Sequence, residues 1–197
     1  MSWPEPITLK GEHASLVPLS VSHEAELAAA ADDGEVWRLW YTNVPSRDDM
    51  LMEIERRLEE HRSGRMLPFT VLDADGIPAG MTTYMNIDAK SPRLEIGSTW
   101  YAKRVQRTGL NTQCKRLMLE HAFDVLGCIA VEFRTSSFNR ASRRAIERIG
   151  AKPDGILRHH SRHRNGTLRD TCVYSILESE WPAVKVHLDA MLKSYAC

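Results

Sequence analysis

The chain contains 197 residues, of which 43% are hydrophobic and 26% charged, and its 26 basic and 26 acidic side chains balance. A chain of this length is expected to form one domain, over 1–197, with enough residues to bury a core. The balanced charge argues against a dedicated nucleic-acid binder, which usually carries a basic excess. Because 1–16 lacks a signal-peptide pattern and no apolar run approaches the ~18 residues of a membrane span, we expect a cytoplasmic protein without membrane contact.

Cysteine spacing does not indicate a metal site or a disulfide framework. No two cysteines form a C-x-x-C pair, and none lies beside a histidine at ligand spacing. We therefore predict reduced thiols that fill space. The four residues are Cys114, Cys128, Cys172 and Cys197.

Hydrophobic periodicity in the first half of the chain predicts a strand, two helices and three strands, in that order. The loose alternation of Leu9–Leu19 is typical of a strand. The first helix runs from Ser22 to near Gly34, with Ser20 or Ser22 as its N-cap. The second covers Arg47–His61, with an apolar stripe on one side and charges elsewhere. The three strands are Phe69–Leu72, Ile77–Ile87 and Leu94–Tyr101.

The last of these strands alternates regularly, which predicts two distinct faces. One face carries Leu94, Ile96, Ser98 and Trp100. The other carries Glu95, Gly97, Thr99 and Tyr101.

The strongest helix signal in the chain covers Thr112–Leu126, and Gly127 ends it. Its stripe consists of Cys114, Leu117, Met118, His121, Ala122, Val125 and Leu126. A strand, a short helix, two strands and a final helix from Pro182 follow. These elements are Ala130–Thr135, Ala141–Ile149, Gly155–His160 and Thr171–Leu177. The order predicts an α+β or mixed α/β fold, with a central mixed twisted sheet of about six or seven strands flanked by helices.

Five basic side chains surround the start of the strongest helix, and no acidic residue lies between Lys103 and Arg116. A helix N-terminus is already the positive end of the helix dipole, where each cation costs roughly 0.3–1 kcal/mol. A bound anion would supply the missing negative charge, with Gly109 allowing a tight turn or a positive φ and with Asn111 and Thr112 as caps. A solvated basic loop with screened charges is the alternative. The cations are Lys103, Arg104, Arg107, Lys115 and Arg116.

The segment 106–111, Gln-Arg-Thr-Gly-Leu-Asn, resembles the pyrophosphate loop Q/R-x-x-G-x-G/A of the GNAT superfamily of N-acetyltransferases. Asn111 replaces the last small residue of that motif, and asparagine tolerates left-handed backbone better than most residues. A second family element, an asparagine followed by a helix that ends in glycine, matches Asn139 and Gly150. The order of elements also matches, from about Leu9 to Trp181.

More narrowly, the chain looks like the branch typified by the RimJ/RimL ribosomal-protein N-terminal acetyltransferases. Many GNAT members carry a tyrosine seven residues after the asparagine, as the acid for the leaving thiolate, and this chain has Ile146 there. RimL-like members instead carry a serine three residues after the asparagine, and Ser142 matches that position.

The resemblance implies an enzyme that moves an acetyl group from acetyl-CoA to a primary amine of a small molecule or a protein N-terminus. The amine must lose a proton, and Glu95 is the candidate general base because family bases often come from this strand. The alternative for Glu95 is a surface carboxylate paired with Arg93 or Arg134. Ser142 would hydrogen-bond the departing sulfur and Asn139 the pantetheine amide; the alternatives are a helix cap and a turn.

The resemblance also implies where acetyl-CoA or CoA binds, and it implies no metal. A backbone N–H near Trp100 or Tyr101 would hold the oxyanion where this strand diverges from the next. The residues expected to bind the donor are Trp100, Tyr101, Ala102, Arg104, Gln106, Arg107, Thr108, Gly109, Leu110, Asn111, Thr112, Asn139 and Ser142.

Three aromatic residues lie between the first two helices: Trp37, Trp40 and Tyr41. By resemblance, this region walls the acceptor site. Ordinary core packing is the alternative for all three.

A dense basic run covers 158–164. Its residues are Arg158, His159, His160, Arg162, His163 and Arg164. No carboxylate or cysteine joins the histidines, so a metal site is not favoured. The run is interpreted as a solvated hairpin or as an electrostatic handle for an anionic partner such as RNA, a ribosomal surface or an acidic substrate.

The second hypothesis for the whole chain follows from that run. It is a catalytically weak GNAT-like CoA-binding module that docks RNA or another acidic partner through 158–164. A homodimer stays open, as does a nucleic-acid or ribosomal-protein partner, although the balanced charge does not favour the latter.

Overall fold

The computed structural model describes residues 3–195. The strands are β1 (Leu9–Lys10), β2 (Ser15–Pro18), β3 (Met66–Leu72), β4 (Pro78–Asp88), β5 (Arg93–Tyr101), β6 (Ala130–Ser136), β7 (Lys152–Arg162) and β8 (Leu168–Leu177). The helices are α1 (Glu24–Asp32), α2 (Met50–Arg62), α3 (Leu110–Glu120), α4 (Arg140–Arg148) and α5 (Trp181–Lys193). One sheet contains all eight strands in the order β1-β2-β3-β4-β5-β6-β8-β7.

The predicted mixed α/β fold is confirmed, with eight strands instead of six or seven. The difference lies at Leu9–Leu19, which was predicted as one strand and forms the hairpin β1–β2, closed by a hydrogen bond from the Gly11 N–H to the Ala14 carbonyl. Ser20 caps the short 3₁₀ turn before α1, because its Oγ accepts from the Ser22 N–H at 3.2 Å. Three cysteines are buried free thiols, namely Cys114, Cys128 and Cys172, and Cys197 lies outside the described residues.

Helices cover both faces of the sheet. Thr83 and Tyr84 are consecutive on β4 and therefore point to opposite faces. Thr83 Oγ1 accepts from Arg57 of α2 at 2.9 Å, whereas the Tyr84 hydroxyl donates to the Met118 carbonyl of α3 at 2.6 Å. We name the two sides the α2 face and the α3 face; α1 also lies on the former.

The helices α4 and α5 lie on the α3 face. The Tyr174 hydroxyl of β8 donates to Glu147 of α4 at 2.9 Å, and Arg116 of α3 donates to Asp189 of α5 at 2.7 Å. Within 3–195, no helix is long and apolar enough to cross a membrane.

β5 and β6 are the parallel pair of the sheet, and they pair over a short stretch before they separate. Only Arg93–Glu95 of β5 faces β6, opposite Ala130–Glu132, and no ladder joins the remainder of these two described strands. We name the opening between Ile96–Tyr101 and Phe133–Ser136 the fork. Because the fork leaves backbone N–H and C=O groups unpaired inside a sheet, an extended ligand can bind there through main-chain hydrogen bonds.

β5 contains a bulge at Ser98, whose φ of 48° lies in the left-handed region. On β4, Thr83 pairs with Gly97 and Met81 with Trp100, so two steps on β4 match three on β5. The α2 face therefore carries Glu95, Gly97 and Trp100, and the α3 face carries Leu94, Ile96, Thr99 and Tyr101. The regular alternation predicted for this strand is wrong beyond Gly97, because the extra residue shifts the two-residue period.

α3 begins at Leu110 and gives way to a π-helical turn over His121–Val125. The Leu126 N–H donates to the His121 carbonyl, five residues back, at 2.9 Å. Such a turn rotates the side chains that follow away from the α-helical stripe. Val125, predicted to face the sheet, is therefore 69% exposed, while Phe123 is buried.

Candidate active site

Glu95 lies at the point where the fork opens, opposite Glu132 on β6. It is 5% exposed, and its Oε2 accepts a hydrogen bond from Asn86 Nδ2 at 2.7 Å. A Cβ on Gly97 would lie 2.8 Å from Glu95 Oε1, so glycine leaves room for the carboxylate. The predicted alternative of a surface carboxylate is wrong, since the side chain is buried.

Two arginines were predicted as partners of Glu95, and only one contacts it. Arg134 Nε lies 3.6 Å from Glu95 Oε2, whereas Arg93 pairs with Glu132. Burial raises the pKa of Glu95 above its ordinary value, and the hydrogen bond from Asn86 and the charge of Arg134 act in the opposite direction. A carboxylate whose pKa is raised is a better proton acceptor, which suits a general base.

The loop 106–109 enters α3 with a conformation that differs from the prediction. The left-handed residue is Arg107, with a φ of 63°, whereas Gly109 has a φ of −65°. Gly109 is required for space, because a Cβ there would lie 2.9 Å from the imidazole of His13. Neither Asn111 nor Thr112 caps the helix; the hydroxyl of Thr108 accepts from the Leu110 N–H at 3.3 Å.

Several backbone N–H groups at this helix start have no acceptor among the described residues. Gln113 is the first residue of α3 whose N–H bonds back, to the Gly109 carbonyl at 2.9 Å. The unpaired donors are the N–H groups of Arg107, Thr108, Gly109, Asn111 and Thr112. Together with the helix dipole, they form a site suited to a phosphate. These groups fit the predicted pyrophosphate loop.

The excess of cations predicted at this helix start is smaller than the sequence suggests. Arg104 pairs with Asp73. Arg116 pairs with Glu120 at 3.0 Å and Asp189 at 2.7 Å. Within 3–195, only Lys103 and Arg107 of the original five lack a carboxylate partner while remaining exposed.

Lys115, the fifth of these cations, lies in the core instead of at the anion site. It is 6% exposed, and its Nζ donates to Thr99 at 3.3 Å and Thr82 at 3.5 Å. Burial lowers its pKa to about 8. The unpaired N–H groups, more than net charge, therefore make this helix start suited to an anion.

A backbone N–H at the C-terminal end of β5 points into the fork. The Ala102 N–H donates to the Ala79 carbonyl beside β4, at 2.8 Å. Because successive N–H groups of a strand point to opposite edges, the Tyr101 N–H faces the fork. Gln106 Nε2 donates to the Tyr101 carbonyl at 3.2 Å, which ties the loop to this edge.

The start of α4 lies beyond the other arm of the fork. Asn139 Oδ1 accepts from the Ser142 N–H at 3.0 Å, so the helix cap is Asn139, whereas capping was the alternative for Ser142 and a turn that for Asn139. The half-buried Ser142 hydroxyl makes no hydrogen bond to any residue in 3–195. Ile146, at the position where many relatives carry tyrosine, is 8% exposed and belongs to the core.

On the α2 face, aromatic side chains from three separate segments meet. The Trp40 ring lies 4.8 Å from His163, 5.2 Å from Phe138 and 5.6 Å from Tyr41, between ring centroids. Trp40 is 43% exposed, so ordinary core packing does not describe it. Trp37 packs against the core, as the alternative of ordinary core packing predicted. We name Trp40, Tyr41, Phe138 and His163 the aromatic enclosure.

The basic run 158–164 divides between surface and interior. Arg158 pairs with Asp170 at 3.0 Å, and His160 shares a hydrogen bond with Thr171 at 3.1 Å. His163 is 6% exposed, which contradicts its assignment to a solvated hairpin. Within the described part of the chain, no three side chains among His, Cys, Asp and Glu are grouped to hold a metal.

Three residues of this region had no role predicted from the sequence. They are Arg57, Asn86 and Arg169. Arg57 could have been found, since it follows Met50 and Ile54 at helical spacing and is 2% exposed. Asn86 and Arg169 reach Glu95 only through the pairing of the strands, which periodicity does not report.

A splayed parallel strand pair, a buried glutamate at the fork and unpaired N–H groups at a helix start together define an acyltransferase-like site. The chain belongs to the GNAT acetyltransferases: the family described as acetyltransferase (GNAT) domain matches residues 14–152. None of the curated proteins compared with the chain matches it.

Solved structures agree with this membership. A GCN5-related N-acetyltransferase from Brucella melitensis is 33% identical, with a TM-score of 0.85 over 96% of this chain and 86% of that one. RimJ from Mycobacterium smegmatis, solved with CoA-disulfide, is 22% identical, with a TM-score of 0.79 over 96% and 95% of the two chains. The microcin C7 self-immunity acetyltransferase MccE, solved with acetyl-CoA and AMP, is 18% identical, with a TM-score of 0.74 over 85% and 93%. The last two share the fold.

Proposed function

We propose that this chain, as one domain over 1–197, is an acetyl-CoA-dependent N-acetyltransferase that acts on a primary amine. The observation that carries the proposal is the position of Glu95, a buried carboxylate at the opening of the fork. The unpaired N–H groups at the start of α3 follow the C-terminal end of β5, where the fork is open. A donor held there by its pyrophosphate would extend its pantetheine arm toward the fork.

Each step of the reaction has a candidate group in this chain. The acceptor reacts as the neutral amine, and Glu95 accepts one proton from its nitrogen as that nitrogen attacks the thioester carbonyl carbon. The C–N bond forms and the C–S bond breaks, and the sulfur leaves as the thiolate of CoA. The Tyr101 N–H is oriented to donate to the carbonyl oxygen as negative charge develops there. The Ser142 hydroxyl, without a hydrogen-bond partner in 3–195, would donate to the departing sulfur.

The donor is inferred from the loop and supported by fold neighbours solved with CoA-disulfide or acetyl-CoA. For the branch, Ser142 and the fold shared with RimJ favour a RimJ/RimL-like member. The acceptor is then a small-molecule amine or a protein N-terminus. Metal has no part in the proposed reaction.

The test is release of CoA thiol from acetyl-CoA across a panel of amines and N-terminal peptides. We expect Glu95→Gln to lower kcat by about 100- to 10,000-fold, the usual contribution of a positioned base. Glu132→Gln is the matched control, since Glu132 is the neighbouring buried carboxylate on β6. It breaks the ion pairs with Arg93 and Arg134 but leaves Glu95 in place, so it should retain kcat within about tenfold.

Two results would contradict the proposal. A Glu95→Gln protein with unchanged kcat would remove Glu95 as the base. A wild-type protein that binds CoA in calorimetry but turns over no amine would instead favour the binding-module hypothesis, in which 158–164 docks RNA or another acidic partner.

A further inference from the structure

We propose that the acceptor amine also carries an anionic oxygen group, a carboxylate or a phosphate, which binds to Arg169 and His163 while the amine lies at Glu95. This inference rests on the proposed function and deepens it by naming the chemical class of the acceptor. Two unpaired donors, the aromatic enclosure and the charges around Glu95 carry it.

Arg169 is a half-buried cation without an ion pair. It lies near the start of β8, and its guanidinium makes no hydrogen bond or salt bridge to any residue in 3–195; its Nε is buried and unpaired. A guanidinium presents five donors in a planar arrangement that matches a carboxylate or a phosphate. Because a buried unpaired charge is costly, a protein that keeps one at a cleft has it available for a ligand.

Arg169 shares the α2 face with Glu95. Thr171 of β8 pairs with Ser136 of β6, which lies four residues after Glu132, and Arg169 lies two residues before Thr171. Because every step along a strand is an even number of residues, all of these side chains lie on the same face. The charges of Arg169 and Glu95 interact across the fork. Arg169 and Glu95 therefore face the same side of the sheet at the fork, where one small molecule can contact both.

His163 supplies the second unpaired donor or acceptor. The residue is more than nine-tenths buried, its Nε2 has no hydrogen-bond partner among the described residues, and its ring lies 4.8 Å from that of Trp40. Burial and the charge of Arg169 both lower the pKa of His163, so Arg169 acts on this side chain as well. In the neutral form one ring nitrogen still donates, so His163 can donate to an anionic oxygen.

The charges around the fork favour a zwitterionic acceptor. Glu132 already binds Arg93 and Arg134. Arg134 also contacts Glu95, which leaves Arg169 as the cation in this group without a carboxylate partner in 3–195. An amine at Glu95 and an anionic group at Arg169 would give both charged side chains a partner of opposite charge at once. A neutral amine would leave Arg169 desolvated and unpaired, which disfavours it.

The alternative is that Arg169 acts only through Glu95, by stabilising its carboxylate. The two roles differ in what they predict. A residue that only adjusts the pKa of Glu95 affects every amine equally, whereas a residue that binds the acceptor affects acidic amines alone.

The experiment compares kcat/KM for two matched pairs of amines, alanine against alaninamide and O-phosphoethanolamine against ethanolamine. Wild type should prefer at least one acidic member, and the favoured pair identifies carboxylate or phosphate. Arg169→Gln should lower that preference by at least about tenfold, since one charge-assisted hydrogen bond is lost. Dividing the two ratios cancels the different basicities of the amines. Arg62→Gln, an exposed arginine of α2 paired with Glu59, is the control and should leave the preference unchanged.

A second measurement uses wild type alone, so it tests the inference even if Arg169→Gln does not fold. Propionate and methyl phosphate, which lack the amine, should inhibit wild type competitively against the amine, and propionamide should not. Equal losses for acidic and neutral amines in Arg169→Gln, or no preference and no inhibition in wild type, would overturn the inference and leave the proposed function intact. If no amine at all releases thiol, the proposed function fails and this inference with it.

Discussion

Arg57 of α2 donates from Nη2 to the carbonyl oxygen of Ser98, the bulged residue of β5, at 3.2 Å. Its Nη1 donates to Thr83 at 2.9 Å and its Nε to Glu53 at 2.7 Å. The guanidinium is 2% exposed, and it satisfies a carbonyl that the bulge removes from the β4–β5 ladder. The conformation of β5 beside the fork therefore depends on a helix that contributes nothing to the chemistry itself.

Replacing Arg57 should destabilise the protein and disturb the fork. Arg57→Lys keeps the charge, but a lysine cannot reach Glu53, Thr83 and Ser98 at once. We expect a loss of about 3–5 kcal/mol in the free energy of unfolding for Arg57→Met, because one partner of a buried pair is removed. Urea unfolding measures this loss. Arg56→Met, which breaks an exposed pair with the same Glu53, should cost less than about 1 kcal/mol; equal losses in the two variants would contradict this account.

The contact between Gly109 and His13 gives a second prediction. Gly109→Ala has an allowed backbone conformation at a φ of −65°, so its penalty comes from the methyl group that would lie 2.9 Å from the imidazole. We expect a loss of about 1–3 kcal/mol from overpacking and weaker binding of CoA. In the double variant Gly109→Ala/His13→Ala the stability loss should be relieved, as measured by thermal unfolding. A penalty that stays in the double variant would assign it to the backbone instead.

Lys115 predicts a pH dependence of stability. Its pKa falls from the model-peptide value of 10.5 to about 8 in the folded protein. The unfolded chain therefore binds more protons between these values, and stability rises as pH increases through about 8. Below pH 8 the buried ammonium is charged at a cost of about 3 kcal/mol relative to high pH. Lys115→Met should be more stable than wild type at pH 7, and the difference should shrink as pH rises.

The measurement for Lys115 is urea unfolding of wild type and Lys115→Met between pH 7 and 9. Two buried thiols act in the opposite direction at higher pH, because burial raises the pKa of Cys114 to about 12 and that of Cys128 to about 11. Both proteins contain these thiols, so the difference between the two curves reports Lys115 together with its electrostatic coupling to Cys114. A difference that does not change with pH would mean that Lys115 is equally protonated in the folded and unfolded chains, so that burial does not lower its pKa.

Asn86 should shift the pH profile of catalysis. Its amide hydrogen bond lowers the pKa of Glu95, against the larger effect of burial. Asn86→Gly removes the amide and suits the φ of 48°, which alanine would not. The pKa of Glu95 should then rise, and the acid limb of kcat/KM should move to higher pH.

The control for Asn86 is Asn165→Gly, in the β7–β8 turn, where the side chain bonds Thr167 and makes no hydrogen bond to Glu95. Its profile should match wild type in shape. If the acid limb of Asn86→Gly stays in place or moves to lower pH, Glu95 is not the group that titrates in that limb.

Local patterns in the sequence predicted most elements and part of the site. The helical stripe around Cys114 and Met118 located α3, and the run 106–111 located the loop before it. Alternation along 94–101 put Glu95 opposite Leu94 and Ile96, and the structure agrees, because these residues precede the bulge. The same reasoning failed from Ser98 onward, since a bulge depends on what the neighbouring strand and α2 donate.

What the sequence by itself determined is therefore the order and type of the elements and the residues of the loop, because periodicity and turn chemistry act over a few neighbouring residues. Only the tertiary structure decided which charges are available. Arg104 finds Asp73 at a separation of 31 residues and Arg116 finds Asp189 at 73, whereas Arg169 finds no carboxylate partner in 3–195. Charges interact through space and are weighted by burial, so neither their pairing nor their strength can be read from spacing along the chain.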